Sequence, residues 1–209
     1  MEEKKINQAE SLAIITEMIA RSNVRHNIGD GRIMLLWGYV TIGVSLLVWS
    51  LLHIFQAPAV NWLWFLIWVI GGIATPIMAQ KQRTECGTKT YIDTISNGVW
   101  SIVGYIAIAM TFICLFFLLF ENKSCWSAMF VFALLGVGFA ETVQGVVIKE
   151  NSMVFGGCVE IFMGLITVCC IAAHVTLYVD WFIPMFAMAF LFMMVIPGHI
   201  INTKARKEK

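Results

Sequence analysis

Six apolar stretches, roughly Ile33 to Phe55, Trp62 to Gln80, Ile95 to Phe120, Trp126 to Ile148, Met153 to Tyr178 and Trp181 to Ile201, decide the class of this chain before any motif is weighed. About 20 helical residues cross the ~30 Å hydrocarbon core of a bilayer, and each stretch is long enough. The composition agrees: 59% of residues are hydrophobic, 13% are charged, and the mean hydropathy is +0.81, far too apolar for a soluble domain. The expected fold class is all-α integral membrane, with six transmembrane helices. Asn61-Trp62, Cys125-Trp126 and Asp180-Trp181 each open a span. This recurrence suggests three related helical hairpins, although Trp at a membrane interface produces the same pattern alone.

Positive loops stay in the cytoplasm. An inside N-terminus leaves only Lys123, of 14 Lys and Arg, on the outer side, so both termini are expected to be cytoplasmic. Trp62, Trp126, Tyr178 and Trp181 then form an outer aromatic belt. The chain is expected to be multi-pass, with the lipid bilayer as first partner. A polar stretch precedes the first span, so that span is expected to direct insertion without a cleavable signal. The net charge of +1 argues against direct nucleic-acid binding.

Three regions are expected. Residues 1–31 form a cytoplasmic amphipathic helix and turn, 32–201 the bundle, and 202–209 a basic tail. In the first, Asn7 and Glu10 suit a helix start. Leu12, Ile15 and Ile19 share one face, Glu10, Glu17 and Arg21 the other, and Ile14 leans toward the polar side. That apolar face suits a cytoplasmic regulatory protein; the plainer reading is a helix lying in the headgroup layer. Asn27, Gly29, Asp30 and Gly31 predict a turn before the membrane.

The stretch from Gly136 to Gly164 carries the chemistry. It reads as two spans joined by a turn near Lys149, Glu150 and Asn151, with Glu141 in one and Glu160 in the other at matching distances from it. A hairpin would bring the acids to the same depth. Both lie in stripes of glycine, which face other helices. Intramembrane acids are by default candidate functional residues. Gln144 follows Glu141 by one turn.

Tyr39, Thr41, Thr75, Asn97 and Ser101 fall, like the acids, in the cytoplasmic halves of their spans, whereas the outer halves are greasy. The expectation is a polar pocket open to the cytoplasm and plugged on the outer side, lined by these five and holding Glu141, Glu160 and Gln144. Two close carboxylates cannot easily both carry charge, so the pair could share a proton or hold a cation. The bland alternative is that the acids glue helices through hydrogen bonds.

Other chemistry finds less support. There is no H-E-x-x-H, no G-x-S-x-G and no phosphate loop, so no enzyme class is indicated. His53 and His174 lie toward outer span ends, where a shared metal or haem is conceivable, but no third ligand is visible; no cofactor or metal is expected. The six cysteines show no C-x-x-C. Cys114, Cys158, Cys169 and Cys170 read as packing residues, and Cys125 has no evident outer partner for a disulfide.

Residues Ser11 to Ala20, followed by Leu35 to Gly38 at the start of the first span, resemble a group of uncharacterised small bacterial polytopic inner-membrane proteins. These begin with an acidic, Ile-rich helix and enter the membrane at a Leu-Leu-Trp-Gly run. The resemblance covers about the first forty residues. Such proteins are often encoded beside small winged-helix regulators, which implies a signalling or envelope role; no site residues carry over. The expected function is binding or transport of a small solute or ion at the paired carboxylates, which a chain this small could perform as a homodimer. The alternative is a non-catalytic sensor or scaffold engaging a cytoplasmic partner through Leu12, Ile15 and Ile19.

Overall fold

The computed structural model describes residues 8–86 and 91–207, with side chains described at all of these except 8–11, 15, 17–30, 82–86 and 91. All regular structure among the described residues is helical. Helix α1 is Gln8–Phe55; α2 is Phe65–Cys86, led in by a 3₁₀ run at Pro58–Trp64; α3 is Tyr91–Phe120. Helices α4 (Trp126–Ile148), α5 (Asn151–Ala172) and α6 (Val179–Lys207) complete the chain. Six of these segments, beginning with Gly31–Phe55 and Pro58–Lys81, are long and apolar enough to cross a membrane.

The turn expected at Asn27 to Gly31 does not form, and α1 runs through it as one helix of 48 residues, about 70 Å long. A glycine inside a helix costs only about 1 kcal/mol relative to alanine, and no proline occurs before Pro58. Gly31 serves packing instead. A Cβ there would stand 3.1 Å from the Gly198 carbonyl oxygen in α6. The helix ends where Gln56 turns left-handed (φ 49°) and Pro58 starts the 3₁₀ run. Leu12 is 65% exposed on the first part of α1. The side chains of Ile15 and Ile19 lie outside the described residues.

Helices α1 and α6 form the spine. Gly31, Met34, Gly38, Thr41, Ser45 and Val48 are all buried, a 3-4 spacing that keeps one stripe of α1 against a neighbour. Gly31 meets Gly198, Gly38 meets Met194 and Val195, and at the far end His53 Nε2 lies 2.9 Å from Asp180 Oδ1. The two helices are therefore antiparallel in one constant register. Small residues let the backbones approach closely, which is how helices associate where lipid is as apolar as the side chains.

Helix α2 packs on α1, fastened where Trp37 Nε1 donates to Thr75 Oγ1 at 3.0 Å. Helix α3 meets the body mainly through α4, and Phe112, Phe116, Leu119 and Phe120 stay exposed, as suits a surface solvated by lipid. Trp64, Phe130, Phe182, Phe186 and Phe190 pack ring to ring through the half of the bundle remote from the N-terminus, with centroids 5.0–5.2 Å apart at the Trp64–Phe130, Phe130–Phe182, Phe130–Phe186 and Phe186–Phe190 contacts.

Candidate functional site

Helix α4 ends in Lys149, left-handed at φ 60°, and α5 begins at Asn151, so two residues reverse the chain. Glycines then set the contact between the helices. A Cβ on Gly145 would lie 2.8 Å from Met153 Cβ, one on Gly157 2.6 Å from the Gly138 carbonyl oxygen, and one on Gly164 3.1 Å from Leu134 Cβ. At Gly145 and Gly157 the facing backbone leaves no room for a side chain, and at Gly164 two leucine side chains fill the space.

This register places Glu160 level with Gly138, one turn from Glu141, so the acids are staggered by about 4.5 Å along the axis and not at one depth. Side chains tilt toward the N-terminus of their own helix. In an antiparallel pair with this stagger, that tilt turns the two carboxyl groups toward each other. Oε2 of Glu160 comes within 3.2 Å of the place a Gly138 Cβ would occupy, one turn from Glu141. Both residues have 0% exposure. Neither carboxyl oxygen of Glu160 has a hydrogen-bond partner among the described residues.

Two π-helical segments flank the pair. One, Ala133–Val137, ends a turn before Glu141 in α4; the other, Leu191–Val195, lies in α6. Gly156, a turn before Glu160, abuts the second: a Cβ there would stand 3.0 Å from Met193 Cα. Pro197 accounts for it, since the ring lacks an N–H and collides with the carbonyl four residues earlier, at Met193. Such bulges occur frequently at functional sites.

The remaining expected site residues are dispersed. Gln144 is buried near the acids, and its Oε1 accepts a hydrogen bond from Trp100 Nε1, which ties α3 to α4. Thr41 is buried in the α1–α6 seam, and the neighbouring hydroxyl of Ser45 bonds back to the Thr41 carbonyl at 2.7 Å. Thr75 is taken by Trp37. Tyr39 is exposed and its hydroxyl contacts His199 Nε2 at 2.6 Å, while Asn97 and Ser101 lie exposed on α3. These five do not converge with the acids on an open pocket. Helical spacing placed them on faces of the right depth, but those faces meet separate neighbours.

The chain matches no protein-family model, no curated protein and no solved structure. The geometry alone therefore carries the functional argument. His53 turns to Asp180 and to the Trp49 carbonyl, 3.0 Å from Nδ1. Among the described residues no group of three or more His, Cys, Asp or Glu gathers as a metal site.

Sequence reasoning missed two polar fasteners. Trp100 gave no signal beyond being an aromatic in a span. The second is at the α4–α5 turn, where Lys204 Nζ, from the end of α6, bonds both Glu150 oxygens at 2.9 and 2.7 Å, and Ser152 donates to one of them at 2.9 Å. Burial pushes the Glu150 carboxyl up, but the bonds from Lys204 and Ser152 outweigh it and hold the group below its ordinary 4.5. The acid-bearing hairpin is thereby clamped to α6.

Proposed function

We propose that this protein is a multi-pass inner-membrane protein, with both termini in the cytoplasm, that binds or transports a small solute or ion through the Glu141–Glu160 pair. The observation that carries the reading is Glu160, wholly enclosed in the bundle with no hydrogen bond at either oxygen among the described residues and a second buried acid, Glu141, one turn away on the facing helix. A buried carboxylate so placed is costly unless a proton or cation neutralises it. A proton or a small cation held between the acids meets that need.

The surroundings support movement as well as binding. The acids are shut from both sides in this conformation, so exchange requires α4 or α6 to shift relative to α5. The π segments interrupt α4 and α6 next to the pair, where such a shift costs least, and glycines on α5 leave smooth faces for it. Proteoliposomes loaded with a pH-sensitive dye and exposed to a panel of alkali and alkaline-earth cations test the reading. Flux in the wild type that is lost in Glu160→Gln, with the variant still folded, is the expected result; equal flux in both, or no flux together with no cation effect on wild-type unfolding, refutes it.

A second reading rests on a separate observation. The part of α1 before Gly31 extends beyond the first span, and Leu12 and Ile14 are exposed on it, at 65% and 43%. A sensor or scaffold would use this extension to hold a cytoplasmic regulatory protein. It predicts that Leu12→Glu with Ile15→Glu and Ile19→Glu breaks partner capture while Glu160→Gln is silent.

A further inference from the structure

We propose that Cys114 and Cys125 form a disulfide that fastens α3 to the start of α4. The connection between these helices folds back tightly. The amides of Glu121 and Lys123 both donate to the Phe117 carbonyl at 3.1 Å, and Asn122 takes the left-handed conformation with φ 52°. The chain is thereby returned along α3, and Cys125, immediately before α4, arrives beside Cys114. The Cys114 thiol lies 3.6 Å from the Cys125 carbonyl oxygen, so the two cysteines are side by side. Both are free thiols here.

The pair has the asymmetry that thiol–disulfide exchange requires. Cys125 is partly exposed and can meet a reagent; Cys114 is 1% exposed and shielded from one. The Cys125 thiolate attacks one sulfur of a donor disulfide, such as glutathione disulfide or a disulfide-donating enzyme, and expels one donor thiolate, which takes up a proton. The Cys114 sulfur then attacks the Cys125 sulfur, expels the second donor thiol and gives up its own proton. Two protein thiols and one donor disulfide become one protein disulfide and two donor thiols. The bond suits α3, whose described polar tie to the body, Trp100 to Gln144, lies toward its other end. Its presence in the cell rests on the proposed orientation, which puts this end on the oxidising side of the membrane.

The test uses the full chain purified in detergent, treated with glutathione disulfide, acid-quenched, denatured, alkylated and digested with trypsin. Cleavage at Lys123 separates the two cysteines, so the expected product is a linked peptide pair lacking two alkyl groups, absent from Cys125→Ser and split by reductant. Alkylation of both thiols, or a Cys125–glutathione adduct that never advances to the linked pair, overturns the proposal. A parallel sample with thiols blocked at lysis reports the state in cells. A linked pair there supports both disulfide and orientation; a reduced pair that links in detergent keeps the pairing but overturns the oxidised state in the cell and the orientation behind it. Either result is distinguishable from failure of the carboxylate site, which shares no residue with it.

Discussion

A Gly157→Ala substitution places a methyl group 2.6 Å from the Gly138 carbonyl oxygen and 2.9 Å from the Thr142 amide nitrogen. Both neighbours are backbone, so no change of rotamer relieves the contact. Helices α4 and α5 must part by about 0.8 Å to restore an ordinary 3.4 Å approach, and overpacking of this kind costs about 1–3 kcal/mol. Gly104→Ala in α3 is the matched control, because nothing lies within 4 Å of the added atom and alanine favours the helix by up to about 1 kcal/mol. The two variants should therefore differ by about 1–4 kcal/mol, shifted in opposite directions from the wild type. Thermal unfolding in a mild detergent, followed by near-ultraviolet circular dichroism, measures the difference. Equal midpoints for Gly157→Ala and Gly104→Ala would refute the close α4–α5 contact and, with it, the geometry that turns the acids toward each other.

Other outcomes follow from the same contacts. The folded Glu150 carboxyl lies below its ordinary 4.5, so its stabilisation is present above that pH and is lost as pH falls toward and through the folded value. Glu150→Gln should thus be less stable than the wild type by about 1 kcal/mol at pH 7 and converge with it in acid, as read by unfolding midpoints across pH; parallel curves would contradict the clamp. Trp100→Phe removes the bond to Gln144 and should cost about 1 kcal/mol, with faster hydrogen exchange in α3 and little change in α5; unchanged exchange in α3 would mean that the bond does not hold it.

The sequence carried the spans and the α4–α5 turn plainly, because hydrocarbon thickness dictates the first and Lys149, Glu150 and Asn151 cannot continue an apolar run. It carried the glycine stripes beside both acids as well. Gly31 misled, since glycine beside Asn and Asp marks a turn in water and close helix approach in a bundle, and only the partner, Gly198, distinguishes the two. Asn97 and Ser101 misled for a related reason. Spacing fixes which residues share a face, but the neighbour that face meets depends on how all six helices pack. Cys114 and Cys125 gave no local signal because their meeting depends on a left-handed residue at Asn122 that folds the loop back. The stagger of the acids by one turn likewise required the register set by Gly138, Gly145 and Gly157.

The most direct measurement is thermal unfolding of the wild type and the Glu141→Gln/Glu160→Gln double variant in detergent, with and without each cation of the panel. The double variant keeps the shape of both side chains and removes their charge, so it should fold and melt at least as high as the wild type without cation. At least one cation should raise the wild-type midpoint and leave the variant unmoved. A shift of equal size in both proteins, or a wild type indifferent to every cation and inactive in proton flux, would contradict the central claim that the enclosed acid pair is a proton or cation site.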